Sequence, residues 1–385
     1  MNILFILQRY PGFGGIETVT RLLSEELCKQ PGVNVTIFST SYQDNAAQIL
    51  PQSNWELVIS DKNKKEQIRD LDELYFRKEV DLVIYQDSYV PEEYLLDHLA
   101  KYPVKIFVCE HNTPNALLIG YRNAYREVKL TSLFNLLQKG RRLLRFYQVR
   151  HKAKMHHRKM LQLADKYVLL SNHFRKILKR EYQIDANDNK IVAIGNPVSL
   201  PIGHIQDKQK EALFVGRLTG QKGINYLVRI WCQIAHRHRD WTLTVVGDGE
   251  EKAFMMKAFD EAGVHNVVFE GFQTDVLNYY KRASCLLLTS LYEGWPMVLL
   301  EAMSQGCISF AFSSYNSVYD IIDHERNGYL VKAFDVEAYV RTLEMFMMAP
   351  EDLQNRFRQE ALEKASKFTP AAIVQKWINL INSLN

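Results

Sequence analysis

Two glutamates separated by seven residues, Glu293 and Glu301, lie in the run Tyr292-Glu293-Gly294-Trp295-Pro296-Met297-Val298-Leu299-Leu300-Glu301. The residues before them, Cys285 to Leu288, are apolar enough for a buried parallel strand. Thr289, Ser290 and Gly294 make a loop, Pro296 suits the first position of a helix, and Gly306 suits its stop. One carboxylate therefore falls in the loop and the other about a turn and a half into the helix. In an open α/β sheet ligands collect outside such a strand end, and the free N–H groups of a helix start favour phosphate. Ionised carboxylates instead accept hydrogen bonds from hydroxyl groups. Some seventy residues upstream, Gly216-Arg217-Leu218-Thr219-Gly220-Gln221-Lys222-Gly223 follows the strand-like Ala212 to Val215. A guanidinium fork and an ammonium on a glycine-containing loop suit a diphosphate. Taken singly, either stretch is also what an ordinary strand, turn and helix with solvated charges would show. Together they fit a ligand with phosphates at its centre and hydroxyl-rich sugars on both sides, a nucleotide sugar.

The elements that must position these residues follow from apolar runs. Strands are expected at Ile3 to Leu7, Val33 to Phe38, Leu57 to Ile59, Asp81 to Tyr85, Val104 to Val108, Tyr167 to Leu170 and Ile191 to Ile194. A second set begins at Ala212 and continues through Thr242 to Val246, Val267 to Phe269, Cys285 to Leu288 and Ile308 to Phe312. Helical patterns alternate with them, which implies α/β architecture with doubly wound parallel sheets. At 385 residues the chain is long for one core, so two domains are expected. Ser199 to Lys210, with Pro201, Gly203 and mixed charge, reads as the linker.

Composition narrows the function classes. Hydrophobic content of 47% and charged content of 24% are those of a soluble globular protein. Five scattered cysteines without a C-x-x-C argue for a reducing compartment and against a disulfide framework or zinc site. The N-terminus lacks a basic n-region, and no apolar run reaches the ~18 residues of a spanning helix. Pro11-Gly12-Phe13-Gly14-Gly15-Ile16-Glu17 is a glycine-rich strand-to-helix turn that lets a ligand approach the backbone. It is not G-x-G-x-x-G, and the second strand ends in Ser39 and Thr40 rather than an acid, which disfavours a nicotinamide site. Asp70-Leu71-Asp72 is formally a D-x-D, but it falls in a polar helical run and reads as surface. The net charge of +4 is local: residues 128–164 hold ten Lys or Arg and no acid, leaving the remainder at −6. In that segment Leu136, Leu137, Leu143, Leu144 and Tyr147 share one helical face, with Arg141, Arg142, Arg145 and Lys152 mostly opposite. This suits either an anionic membrane surface or a core helix with a solvated face. No aromatic stacking platform accompanies the charge, so nucleic acid is not an expected partner.

The E-x7-E stretch inside Glu293-Gly294-Trp295-Pro296-Met297-Val298-Leu299-Leu300-Glu301-Ala302-Met303 resembles the signature of retaining glycosyltransferases of family 4, which have the GT-B fold. The Gly14-Gly15-Ile16-Glu17 turn, Asn196-Pro197-Val198 before the linker, and the Gly216 to Gly223 loop are similar to other motifs of that family. Asn327-Gly328-Tyr329-Leu330-Val331 resembles a closing motif. Ser317-Val318-Tyr319-Asp320-Ile321-Ile322 resembles another, with two departures: Asp320 stands where a glutamate is usual, and the customary glycine-proline before it is missing. The resemblance covers nearly the whole chain. It implies two Rossmann-like domains facing across a cleft. Residues 1–198, with a last helix from 368–385 packing back on them, would bind the acceptor, and residues 199–367 the donor. It further implies that Arg217 and Lys222 hold the diphosphate, Glu301 the ribose and Glu293 the transferred sugar. His111, after a buried strand in Cys109-Glu110-His111-Asn112, and the Gly14-Gly15 turn would close over the sugar and phosphates. Gly216, Phe272, Gln273, Gly294, Trp295, Pro296, Met297 and Val298 would complete the donor site, with Phe272 beside the base. The implied reaction is metal-independent and cofactor-free transfer from a nucleotide sugar, UDP being the commonest carrier, to a glycan or lipid-linked acceptor of surface polysaccharide. The implied location is cytoplasmic, peripheral on the inner face of the cell membrane. A nucleotide-sugar 2-epimerase of the same fold and a silent binding subunit remain alternatives. The first is separated by detecting transfer. The second is one that would naturally have lost Arg217, Lys222, Glu293 or Glu301, and all four are present.

Overall fold

The computed structural model describes residues 1–43, 54–86, 92–127 and 133–384. Residues 128–132, the start of the basic segment, lie outside the described residues. The chain divides into two compact units, Met1–Gly195 with Lys376–Asn385, and Asn196–Gln375.

In the first unit the strands are β1 (Asn2–Arg9), β2 (Asn34–Ser41), β3 (Glu56–Ile59), β4 (Leu82–Gln86), β5 (Lys105–Glu110), β6 (Lys166–Leu169) and β7 (Ile191–Ala193). They form a seven-stranded sheet in the order β3-β2-β1-β4-β5-β6-β7, with every described pairing parallel. Its helices are α1 (Gly15–Leu27), α2 (Lys64–Lys78), α3 (Glu93–Leu99), α4 (Ala116–Glu127), α5 (Leu133–Leu163) and α6 (Phe174–Tyr182). A parallel sheet is covered on both faces, so its strands must be apolar throughout. Ile3 to Leu7 meet that condition and are all buried. Helix α1 sets Val19, Leu22, Leu23 and Leu27 against the core. Helix α2 starts where the Asn63 side chain accepts hydrogen bonds from the N–H groups of Lys65 and Glu66, a cap worth about 1 kcal/mol. The strand order reverses between β1 and β4, so the crevice at their carboxyl ends is this unit's switch point.

The second unit repeats the plan with β8 (Gln209–Val215), β9 (Thr242–Val246), β10 (Val267–Gly271), β11 (Ala283–Leu288), β12 (Ile308–Phe312) and β13 (Gly328–Val331). The order is β10-β9-β8-β11-β12-β13, again parallel, with the reversal between β8 and β11. Helices α7 (Ile224–Ala235), α8 (Lys252–Glu261), α9 (Leu277–Arg282), α10 (Met297–Ser304), α11 (Val318–Ile321), α12 (Val336–Met347) and α13 (Glu351–Ser366) complete it. Stacked rings of Phe310 and Tyr329 (4.7 Å) and of Tyr329 and Phe357 (5.0 Å) tie β12, β13 and α13 together. Each such pair adds about 0.5–1.5 kcal/mol beyond area burial. The last helix, α14 (Pro370–Asn382), begins in the second unit. From Lys376 on its residues belong to the first, where the Trp377 ring lies 6.3 Å from that of Phe107.

Helix α5 has two different halves. Its C-terminal half is docked: Ala153, His157, Met160 and Leu161 are buried, and Lys159 pairs with Glu93 and Asp97 on α3. In the other half Leu136, Leu137, Leu143, Leu144 and Tyr147 are exposed. The core-helix reading thus fails for residues 136–147, because their apolar face is uncovered. Among the described residues no helix is long and apolar enough to cross a membrane.

Candidate active site

The chemistry-bearing loops of the second unit sit at the carboxyl ends of β8 and β11. The loop after β8 ends in a single 3-10 turn, Gly220–Lys222, and passes into α7 through Gly223 at φ +65°. A Cβ on Gly223 would lie 2.1 Å from the Thr289 carbonyl oxygen, so the position needs glycine twice over. That close approach lets the two loops bond. Thr289 Oγ1 donates to the Lys222 carbonyl (2.9 Å), Leu291 N–H to the Gln221 carbonyl (2.8 Å), and Gln221 Nε2 to the Tyr292 carbonyl (3.1 Å).

The same stitching brings charge together. Lys222 Nζ lies 2.6 Å from Glu293 Oε1, which also accepts from Ser290 Oγ at 2.7 Å. Both partners of the pair are largely buried, so the attraction is weakly screened. Arg217 stands apart. It is exposed, and among the described residues its guanidinium has no side-chain hydrogen bond or ion pair. Glu301 is the fifth residue of α10. Its Oε1 accepts from Ser199 Oγ (2.5 Å) and its Oε2 from the buried Tyr280 hydroxyl (2.9 Å). Burial pushes the Glu301 carboxyl above its ordinary range, against these two hydrogen bonds and the charge of Lys222. Pro296 caps α10 and Met297 and Val298 open it, while Trp295 is buried 5.6 Å from the Phe368 ring.

Beside Arg217 lies a pocket of about 310 Å³ across the ends of β8, β9 and β10. Val215, Val246, Val276 and Phe272 give it apolar walls, and Gln273, Gly216, Gly247 and Asp248 complete the lining. Gly247 is at φ +144°, and a Cβ there would lie 1.9 Å from the Gly216 carbonyl oxygen. The glycine pair thus keeps the pocket floor down to bare backbone. Among the described residues Arg217 is the only cation in the lining, and Phe272 presents an exposed ring. A flat aromatic ring over apolar walls suits a heterocyclic base, and a guanidinium at its side suits phosphate.

The remaining expected residues gather at the first unit's switch point. Gly14 caps α1, and a Cβ on it would lie 2.1 Å from Glu17 Oε2. Glu17 is folded back over this turn and held by Arg9 at 2.9 Å. Gly15 has open space where a side chain would be. His111 follows β5, and its Nε2 meets Gln86 Oε1 at the end of β4. Burial pushes the His111 imidazole down to about 4, so it is neutral at ordinary pH. Among the described residues, His111 Nδ1 and Gln86 Nε2 are buried polar atoms without a hydrogen-bond partner. Asp70 and Asp72 are held separately, the first by Ser60 and Lys62, the second by His98 and Tyr102. Among the described residues no group of three or more His, Cys, Asp or Glu is placed to hold a metal.

Four participants went unread in the sequence: Ser199, Ser290, Tyr280 and Gln86. Ser290 precedes Glu293 by three residues and was open to notice. Tyr280 and Gln86 reach their partners only through the fold.

The family models decide what this arrangement belongs to. One described as Glycosyltransferase Family 4 matches residues 13–200, and one described as Glycosyl transferases group 1 matches residues 199–364. The chain belongs to glycosyltransferase family 4. It is similar to the amylovoran biosynthesis glycosyltransferase AmsD of Erwinia amylovora, with 30% identity over 57% of this chain and 63% of that one. It is also similar to the lipopolysaccharide 1,6-galactosyltransferase of Salmonella typhimurium, at 31% over 48% and 53% respectively. The chain thus spans less than two thirds of these curated relatives. Among solved structures, the lipopolysaccharide outer core galactosyltransferase WaaB in its apo form aligns over 100% of both chains at TM-score 0.71 and 21% identity. A UDP complex of Anabaena HepE aligns over 100% of both at 0.74 and 15%. These likenesses give the family member its GT-B fold of two parallel-sheet Rossmann-like domains.

Proposed function

We propose that this family 4 glycosyltransferase moves a sugar, with retention, from a UDP-sugar to a hydroxyl of a glycan or lipid-linked acceptor in surface-polysaccharide synthesis. The observation that carries the reading is Arg217, an exposed cation, unpaired among the described residues, at the side of an apolar pocket ringed by Phe272 and bare glycine backbone. The base occupies that pocket, and Arg217 meets the diphosphate. Donor phosphate also neutralises the positive end of the Lys222–Glu293 pair and leaves Glu293 to accept from the sugar hydroxyls. Glu301 takes the ribose on lone pairs not used by Ser199 and Tyr280. The acceptor oxygen forms a bond to the anomeric carbon as the carbon–phosphate oxygen bond breaks, and the acceptor proton passes to the departing phosphate. Arg217 and Lys222 stabilise the charge that grows there. Support for the polysaccharide acceptor comes from the named roles of the relatives, and support for UDP from the HepE complex.

We also assign the uncovered half of α5 to an anionic lipid surface. Its exposed leucines lie beside Arg141, Arg142 and Arg145, in a segment without acids.

Thermal unfolding with a panel of nucleotide sugars tests the donor site. A ligand at a hundred times its Kd adds about 2.7 kcal/mol to the native state. UDP-sugars should raise the Tm of the wild type, and that of Arg217→Ala as well, because a group that meets charge growing in the transition state acts on turnover and not on donor binding. A panel without effect on the wild type would overturn the reading.

A further inference from the structure

The stretch that composition marks as a linker is bonded along the helix that carries Glu301. The first unit's main segment ends at Gly195, and the chain from Asn196 belongs to the second. Residues 199–208 form neither helix nor strand, yet they follow α10 and its C-cap residue Gln305 closely. Ser199 Oγ donates to Glu301 Oε1 at 2.5 Å. Gln305 Nε2 donates to the Pro201 carbonyl at 2.6 Å, and the Gly203 N–H to the Ser304 carbonyl at 2.7 Å. A Cβ on Gly203 would lie 2.7 Å from Gln305 Oε1, so the approach there suits a residue without a side chain. Lys208 Nζ donates to the Gln305 carbonyl at 2.8 Å.

Lys208 does more than close this run. An ammonium has three N–H groups. The other two reach the carbonyls of Tyr280 (2.9 Å) and Lys281 (2.8 Å) in the last turn of α9. All three are therefore spent on carbonyls that a helix end leaves without intrahelical partners. The partial negative charge of helix C-termini favours a cation there. Burial pulls the Lys208 ammonium down to about 8, which leaves it charged at pH 7. Helix α9 carries Tyr280 and α10 carries Glu301, and the Tyr280 hydroxyl donates to Glu301 Oε2 at 2.9 Å. Lys208 thus ties together the two helices whose side chains meet at this carboxylate. Glu301 is held on both oxygens, on one by the linker and on the other by a helix that the linker clamps. A glutamate side chain loses rotamer freedom when it binds a ligand, unless it is already fixed. Here it is fixed beforehand, and lone pairs remain for hydroxyl groups.

We propose that residues 199–208 are a positioning strap for the donor carboxylate: Ser199 holds Glu301 itself, and Lys208 holds the ends of the helices that carry Tyr280 and Glu301. That the held carboxylate takes ribose hydroxyls rests on the donor reading above; the strap does not.

Two measurements on the full chain separate these parts. Hydrogen exchange read by mass spectrometry, with no ligand, reports on the strap. Lys208→Met keeps the stem and strands three carbonyls. The amides of Gly203 and of Gln305 to Cys307 should then exchange about tenfold faster or more, with those of α12 at the wild-type rate. Ser199 is partly exposed, so Ser199→Ala should fold whatever Lys208→Met does. Calorimetric titration with UDP and with 2′,3′-dideoxy-UDP reports on Glu301. The wild type should prefer UDP by about ten- to a hundredfold, the scale of a hydrogen bond to a charged group. Ser199→Ala should lose about two- to tenfold of that preference, the scale of leaving one side chain unordered. Ser199→Thr keeps the hydroxyl and should restore it. A Ser199 that only stabilises the fold would lower the Tm and leave the ratio alone. The wild-type ratio in Ser199→Ala, or unchanged exchange in a folded Lys208→Met, would overturn the proposal. A wild type that binds the two nucleotides equally, or binds neither, would instead sink the donor reading, and hydrogen exchange would then decide the strap by itself.

Discussion

Arg217 and Lys222 carry the same charge on one loop, yet the fold treats them differently. Lys222 is spent on Glu293 inside a largely buried pair, and Arg217 is left open. Removing one partner of a buried pair strands the other, at about 3–5 kcal/mol. Lys222→Ala should therefore lower both stability and turnover, and Lys222→Met with Glu293→Gln should regain the stability alone. Arg217→Ala should melt within about 0.5 kcal/mol of the wild type, because an exposed side chain without partners holds nothing in place. Denaturant unfolding of the three variants checks the contrast. His111 supplies a pH dependence of known sign. Its folded pKa of about 4 lies below the unfolded value, so the unfolded chain binds the extra proton between roughly pH 6.5 and 4. Stability should be lost as pH falls through that window, by up to about 1.4 kcal/mol per pH unit, and His111→Asn should lose correspondingly less. At this scale the sequence exposed the charges and their spacing but not their pairing. Nothing in the Gly216 to Gly223 run says that its lysine, and not its arginine, folds back on Glu293. That choice is made by Gly223 and Thr289, which meet only in three dimensions.

Loops and helices show what single residues cannot. Gly223 carries both a left-handed backbone and a contact that admits no Cβ, so Gly223→Ala must either strain the loop or part it from the loop after β11. A left-handed non-glycine residue alone costs about 1–2 kcal/mol. Melting and donor binding should both suffer in that variant, and an unaltered melting curve would show that the two loops are not stitched as described. Helix α5 was legible as basic and periodic, but its sequence fits a core helix and a surface helix equally. Only the burial pattern separates them, since the leucine face of residues 136–147 is uncovered while Ala153 to Leu161 is packed. Each basic residue near an anionic surface contributes about 1 kcal/mol. Combined Arg141→Glu, Arg142→Glu and Arg145→Glu should abolish sedimentation with phosphatidylglycerol-containing vesicles at low salt. Binding that survives these reversals, or is absent from the wild type, would remove α5 from the membrane.

For the whole molecule, the sequence was most legible where physics is least ambiguous. Among the described residues the two parallel sheets hold thirteen strands, and twelve of them fall on the apolar runs read from the sequence, since strands covered on both faces have little polar alternation; β13 (Gly328–Val331) is the one that no such run announces. The two reversals of strand order follow from the pairing of β1 with β4 and of β8 with β11, which periodicity does not encode. Placing the donor in the second unit, with Arg217 and Lys222 as its cations, implies transfer without a divalent metal. Activity should survive excess chelator, and loss that Mn²⁺ or Mg²⁺ restores would show that a metal carries the diphosphate charge. The most direct test of the donor assignment is steady-state kinetics of Arg217→Ala with the nucleotide sugar varied. A group that meets growing charge acts on kcat, whereas one that binds ground and transition states alike acts on KM. Arg217→Ala, still folded, should lose roughly two to three orders of magnitude in kcat. A change confined to the donor KM, or no change at all, would contradict the placement of Arg217 at the departing diphosphate.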